Sequence, residues 1–328
     1  MERQSITTGN SPDSPIMQNL PTCLDVNWGR ALDIHERALR DPPVVISPRV
    51  YQLETTSRCN LACSFCPRRT MTRGRTIMSD DLFDHILNTC LDATQALELF
   101  GFGEPFTDPS IGNRIAALQD AGIYVVIATN GLLLQGFSDA VIARPDYLVY
   151  DVDSVSEGVY SRLRRGGSFS LMRENLDRVL DVRSNYTVLQ FIQVPENEHE
   201  TDLFLELYAG RADELRIKFF DTFAGQVGCG SPQVGVKCLE PFYGVSIWSN
   251  GDVVMCDRDY DSKHKLGNVT QHSLADIWDG AKSKAIRESH RAGRGESVAL
   301  CSQCTEWELT NLRNVPELTV NMFRGDFI

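Results

Sequence analysis

Cys59, Cys63 and Cys66 fall in the run Thr55-Thr56-Ser57-Arg58-Cys59-Asn60-Leu61-Ala62-Cys63-Ser64-Phe65-Cys66-Pro67, a C-x3-C-x2-C spacing. Three thiolates so placed can hold three irons of a four-iron cluster and leave the fourth iron without a protein ligand. A small chelating molecule can bind that iron and receive an electron. Zinc and disulfides are the competing chemistries. Zinc favours C-x2-C pairs with a second pair nearby, and three cysteines alone leave it one ligand short. Disulfides need an oxidising compartment, whereas residues 1–30 lack a basic start followed by an apolar core, so a cytoplasmic chain is expected. A second group, Cys238, Cys256, Cys301 and Cys304, ends in a C-x2-C pair. Four thiolates suit either zinc or an iron-sulfur cluster.

The elements that position these groups follow from periodicity. Strand-like runs occur at 50–54, 96–101, 123–129, 147–152, 187–194 and 214–220. Helical patterns lie between them at 79–93, 110–121, 169–183 and 198–209, the first opening on Ser79-Asp80-Asp81, a hydroxyl cap followed by acids. Alternating strands and helices predict an α/β fold with a mostly parallel sheet, whose chemistry gathers at the C-terminal strand ends. The cysteine triad follows the first strand and falls there. Asn250-Gly251 between the apolar runs 243–248 and 252–255 predicts a hairpin, and 273–291 reads as one helix. The net charge of −12 argues against a nucleic-acid partner and suits a cationic one. No apolar run reaches the roughly 18 residues that span a membrane. Residues 1–47 read as an N-terminal extension, 48–225 as the main domain, and 226–328 as a cysteine-bearing domain with a tail.

The triad closely resembles the signature of the radical S-adenosylmethionine (radical SAM) enzymes, in which SAM binds the open iron of a 4Fe-4S cluster and is cleaved to a 5'-deoxyadenosyl radical. Other residues match that family in order. Phe65 resembles the aromatic residue that packs near the adenine. Gly101-Phe102-Gly103-Glu104-Pro105 resembles the family's Gly-Gly-Glu-Pro motif with Phe102 in place of a glycine, and assigns Gly103 and Glu104 to the SAM ammonium. Asn130 lies in the turn Thr129-Asn130-Gly131, which also recurs in the family. Asp151 and Asp153 resemble its ribose-binding strand end, and Arg165, within Arg164-Arg165-Gly166-Gly167, resembles the residue that meets the SAM carboxylate. The hairpin, the helix and the four later cysteines resemble the shortened, "twitch" form of the SPASM extension, which holds an auxiliary 4Fe-4S cluster. The resemblance spans about residues 48–310 and implies a partial (β/α)6 barrel.

A cluster closed by four thiolates has no site for substrate, so its expected work is electron transfer. Twitch enzymes include a dehydrogenase of aminoglycoside antibiotic biosynthesis, which implies oxidation of a secondary alcohol on an aminocyclitol or amino-sugar substrate. A flavodoxin- or ferredoxin-type protein would donate the first electron. Asp221, directly after the sixth strand, is the candidate base. Asp151, Asp257 and Asp259 are candidate ammonium contacts. Three rival expectations stand beside this one: a carbohydrate epimerase with Cys229 as hydrogen donor, a peptide-modifying enzyme, and a metal scaffold without catalysis.

Overall fold

The structure is a computed structural model that describes residues 45–228 and 231–307. The N-terminal extension up to residue 44, the tail after 307 and the candidate donor Cys229 lie outside the described residues.

One nine-stranded sheet organises the molecule. Its strands are β1 (Arg49–Leu53), β2 (Ala96–Glu98), β3 (Tyr124–Thr129), β4 (Tyr147–Asp151), β5 (Tyr186–Gln193), β6 (Glu214–Phe219), β7 (Gly244–Ile247), β8 (Asp252–Val254) and β9 (Gly267–Asn268). Their spatial order is β6-β5-β4-β3-β2-β1-β7-β8-β9. The first six are mutually parallel, as the alternating pattern predicts. Parallel pairing requires a crossover after each strand, and the helices supply it. They are α1 (Asp80–Thr89), α2 (Ile111–Asp120), α3 (Asp139–Ile142), α4 (Glu157–Leu163), α5 (Phe169–Val182) and α6 (Thr201–Tyr208). Ser79 caps α1, its side chain accepting a bond from the Leu82 amide at 3.2 Å. Ile86 of α1, Ile115 and Leu118 of α2, and Met172 and Val179 of α5 are buried against β-strand residues such as Val125, Ile127 and Leu189. Each such side chain contributes about 1.5–3 kcal/mol by leaving water.

β2 ends at Glu98, short of its apolar run; the Leu99 amide still donates to the Val126 carbonyl of β3 (2.8 Å), and the chain then runs to the backbone of Thr56 and Arg58 at Gly103 and Glu104. The predicted hairpin forms: Ser246 pairs with Val254 and Ile247 with Val253, antiparallel, with Gly251 at φ +82° in the turn. Sequence gave no sign of where it docks. β7 lies parallel to β1, so the hairpin continues the main sheet. After α7 (Glu240–Tyr243) and the hairpin, the expected single helix divides into α8 (Leu274–Trp278) and α9 (Ala281–Arg291). Gly280 takes extended geometry as the N-cap of α9, and Asp279-Gly280 breaks the run.

Candidate active site

The sheet brings six loops to one end. The cysteine loop follows β1, Gly101–Pro105 follows β2, Asn130 follows β3, Asp153 follows β4, Asp221 follows β6 and Ser249 follows β7. The cysteine loop is held by backbone bonds to the segment after α4: the Ala62 amide donates to the Arg165 carbonyl (3.0 Å) and the Ser64 amide to the Leu163 carbonyl (2.8 Å). Arg68 braces it from inside. Its guanidinium donates to the carbonyls of Ser57 (3.1 Å), Leu61 (3.2 Å) and Cys59 (3.3 Å). Nothing in the sequence marks Arg68 for this, since its targets are backbone oxygens.

Gly103 is required by contact. A Cβ there would lie 2.1 Å from the Thr56 carbonyl oxygen and 2.6 Å from that of Arg58. That approach carries Glu104 into the site, where its amide donates to the Arg58 carbonyl (2.8 Å). The Glu104 carboxylate is buried and accepts bonds from the Thr129 hydroxyl (2.6 Å) and the amides of Asn130 (2.8 Å) and Phe106 (3.3 Å). Burial raises its pKa to about 7 against these bonds. The Asn130 side-chain nitrogen Nδ2 donates to Asn60 Oδ1 (3.0 Å) and lies 3.9 Å from Cys59 Sγ.

Of the adjacent arginine pair, Arg164 is the one buried in this site, while the Arg165 side chain is exposed and its carbonyl serves the cysteine loop. Arg164 pairs with Asp151 (3.1 Å) and Asp153 and reaches Cys63 Sγ at 3.6 Å. Its guanidinium carbon lies 5.4 Å from the Phe65 ring centroid. Asp153 is fully buried at φ +56°, a left-handed geometry a non-glycine residue rarely holds, and its carboxylate also accepts from the Ile192 amide (2.7 Å).

The second cysteine group closes on itself. All four thiols are buried, unpaired by disulfides, and line one cavity with Met255, Arg258, His290, Leu300 and Trp307. Burial pushes the Cys301 and Cys304 thiols up to about 12, and raises Cys238 and Cys256 strongly. In the first site burial likewise lifts Cys59 to about 12 and Cys66 to about 11. Thiols this hard to ionise become ligands only when metal charge replaces the lost hydration, so loading releases protons. Among the described residues, no three His, Cys, Asp or Glu side chains converge as ligands of a single ion. Four buried thiols lining one cavity would suit an iron-sulfur cluster.

Asp221 accepts a bond from Arg258 Nη2 (2.9 Å) and another from the Phe223 amide (2.7 Å). Arg258 also faces Asp257 (3.3 Å) and Cys256 Sγ (3.8 Å), which links the end of β6 to the four-thiol cavity. Asp259 is spent on its own turn, accepting from the amides of Lys263 and His264 at 2.9 Å each.

At a buried junction, one carboxylate joins the loops after β1, β2 and β7. Glu54, at the end of β1, receives the Arg73 guanidinium at both oxygens, plus the Phe102 amide (2.9 Å) and the Ser249 hydroxyl (2.8 Å). Phe102 packs edge-on against Trp248 (centroids 5.5 Å) and Phe223 (5.8 Å) and lies 5.7 Å from Tyr260. A glycine at this position could not reach any of these rings.

Two family descriptions match the chain: the radical SAM superfamily over residues 53–208, and the SPASM iron-sulfur cluster-binding domain over 238–305. Among similar proteins, the S-adenosyl-L-methionine-dependent 2-deoxy-scyllo-inosamine dehydrogenase of Niallia circulans is 21% identical over 267 residues, 77% of this chain and 91% of that protein. An uncharacterized protein of Treponema pallidum is 23% identical over 314 residues, 87% of this chain and 84% of its own. The crystal structure of BtrN in complex with AdoMet and 2-DOIA superposes with a TM-score of 0.51 at 15% identity, covering 78% of this chain and 92% of that one. Streptococcus suis SuiB gives 0.61 at 14% identity, covering 84% and 76%. Residues 53–208 thus form a radical SAM domain, which binds SAM and a 4Fe-4S cluster, and residues 238–305 form a SPASM domain, which binds auxiliary iron-sulfur clusters.

Proposed function

We propose that this protein oxidises a secondary alcohol to a ketone on an aminocyclitol or amino-sugar substrate. The observation that carries the reading is the four-thiol cavity: four buried cysteines line it, enough to close a cluster without substrate, which leaves electron transfer as its work. Likeness along most of the length of the scyllo-inosamine dehydrogenase supports it. When bound, SAM on its cluster supplies a hydrogen-abstracting 5'-deoxyadenosyl radical, and the auxiliary cluster takes the electron left on the substrate.

The chain's own residues do the rest. SAM is proposed to lie over the strand ends, against Phe65, Gly103, Glu104, Asn130, Asp151 and Arg165, with Asp153 buried behind them on Arg164. Arg164 fixes the two aspartates and faces Cys63, so ligand loop and nucleoside wall move as one piece. Phe102, Phe223 and Tyr260 wall the junction and keep water from a carbon radical. Asp221 takes the hydroxyl proton: one O–H breaks, the proton passes to the carboxylate, and the electron leaves toward the cavity that Arg258 adjoins. Burial raises the Asp221 pKa and favours proton uptake, while Arg258 opposes it. A flavodoxin- or ferredoxin-type protein is the proposed source of the first electron.

Asp221→Asn keeps the bond to the Phe223 amide but cannot take a proton. Ketone formation by the reconstituted enzyme should drop at least about 100-fold, with 5'-deoxyadenosine still produced. Ketone at the wild-type rate would remove Asp221 from the reaction.

A further inference from the structure

We propose that His290 raises the reduction potential of the auxiliary cluster by donating its Nε2–H to the Cys301 ligand. His290 lies in the last turn of α9 and is 1% exposed. The Cys238 amide points at its Nδ1 at 3.1 Å. A backbone N–H needs a lone pair, so Nδ1 carries no proton and the ring's one N–H is at Nε2. That nitrogen is 3.6 Å from Cys301 Sγ. Gly295 holds the ring in place: a Cβ there would come within 2.5 Å of imidazole Cε1 and Nδ1, so backbone lies flat against the ring. The Gly295 amide in turn donates to the Val236 carbonyl (3.0 Å), tying this stretch to the segment that bears Cys238.

Reduction adds negative charge that spreads onto the thiolate sulfurs. A hydrogen bond to sulfur stabilises the reduced cluster more than the oxidised one and moves the potential upward. Arg258 also approaches a ligand, but its charge is shared with Asp221 and Asp257, and a neutral imidazole needs no counter-charge in the cavity. An auxiliary cluster with a raised potential is a better acceptor. That consequence rests on the dehydrogenase reading, whereas the test reads the cluster alone.

The test is an anaerobic EPR redox titration of the holoenzyme, with SAM added to separate the signal of the cluster that has an open iron. His290→Phe keeps an aromatic ring and removes the donor. The auxiliary midpoint should fall by about 59 mV, a tenfold change in a one-electron equilibrium. His290→Gln, which can both accept and donate, should stay near wild type, and the SAM-binding cluster should be unchanged in both. An unchanged auxiliary midpoint in a fully loaded His290→Phe protein overturns the proposal. Should that variant fail to load, wild-type protein labelled with 15N-histidine decides. The reduced auxiliary cluster should show a nitrogen hyperfine coupling that His290→Gln loses, and its absence from wild type overturns the assignment.

Discussion

At the residue scale the site depends on close approach. Gly103 lets the loop after β2 lie against the backbone of Thr56 and Arg58, immediately before Cys59. Gly103→Ala places a methyl group 2.1 Å from a carbonyl that cannot give way without moving the ligand loop. Its iron and sulfide content should fall to about half, the SAM-binding cluster lost and the auxiliary one kept. Full iron content would show that the loop tolerates the shift. The triad was legible from its spacing, and the glycine motif from its resemblance to the family's pattern. Which of two adjacent arginines turns inward was not. Arg164 ends α4, its amide bonded to the Tyr160 carbonyl, and that cap aims its side chain at Asp151 and Asp153 while Arg165 faces solvent. His290 and Arg68 were also unmarked, since each acts on atoms that only the folded chain brings near.

At the element scale, periodicity marked the first six strands and the Asn-Gly hairpin, because alternation and turn chemistry are local. The pairing of β7 with β1 is a contact between segments nearly 200 residues apart and leaves no local trace. Glu54 shows what joins them: one buried carboxylate receives Arg73 from the loop after the triad, Phe102 from the loop after β2 and Ser249 from the hairpin. Glu54→Gln leaves the Arg73 guanidinium buried without its counter-charge. It should cost about 3–5 kcal/mol, read from denaturant unfolding of the anaerobically loaded protein. An unchanged unfolding midpoint would mean that the other contacts, among them the aromatic packing and the Asp261 bonds, join these elements without it.

At the scale of the whole molecule, the sheet carries two cofactor sites on a common frame. The loop after the triad is stitched to the loop after the hairpin: Asp261 accepts from the Arg73 amide (2.8 Å) and the Thr72 hydroxyl (2.7 Å). Asp221, Arg258 and Cys256 then lead from the end of β6 to the second cavity. The two cofactor sites are therefore linked through buried polar contacts of one frame. Among the described residues no helix is long and apolar enough to cross a membrane. Oxidation of an alcohol is the central claim, and product mass in deuterated buffer tests it most directly. Reconstituted enzyme, reductant and SAM are given a panel of aminocyclitols and aminoglycosides. We predict a product lighter by about two mass units, formed in step with 5'-deoxyadenosine. A product heavier by about one unit, with deuterium drawn from solvent, would contradict oxidation and point to epimerisation by a thiol donor such as Cys229.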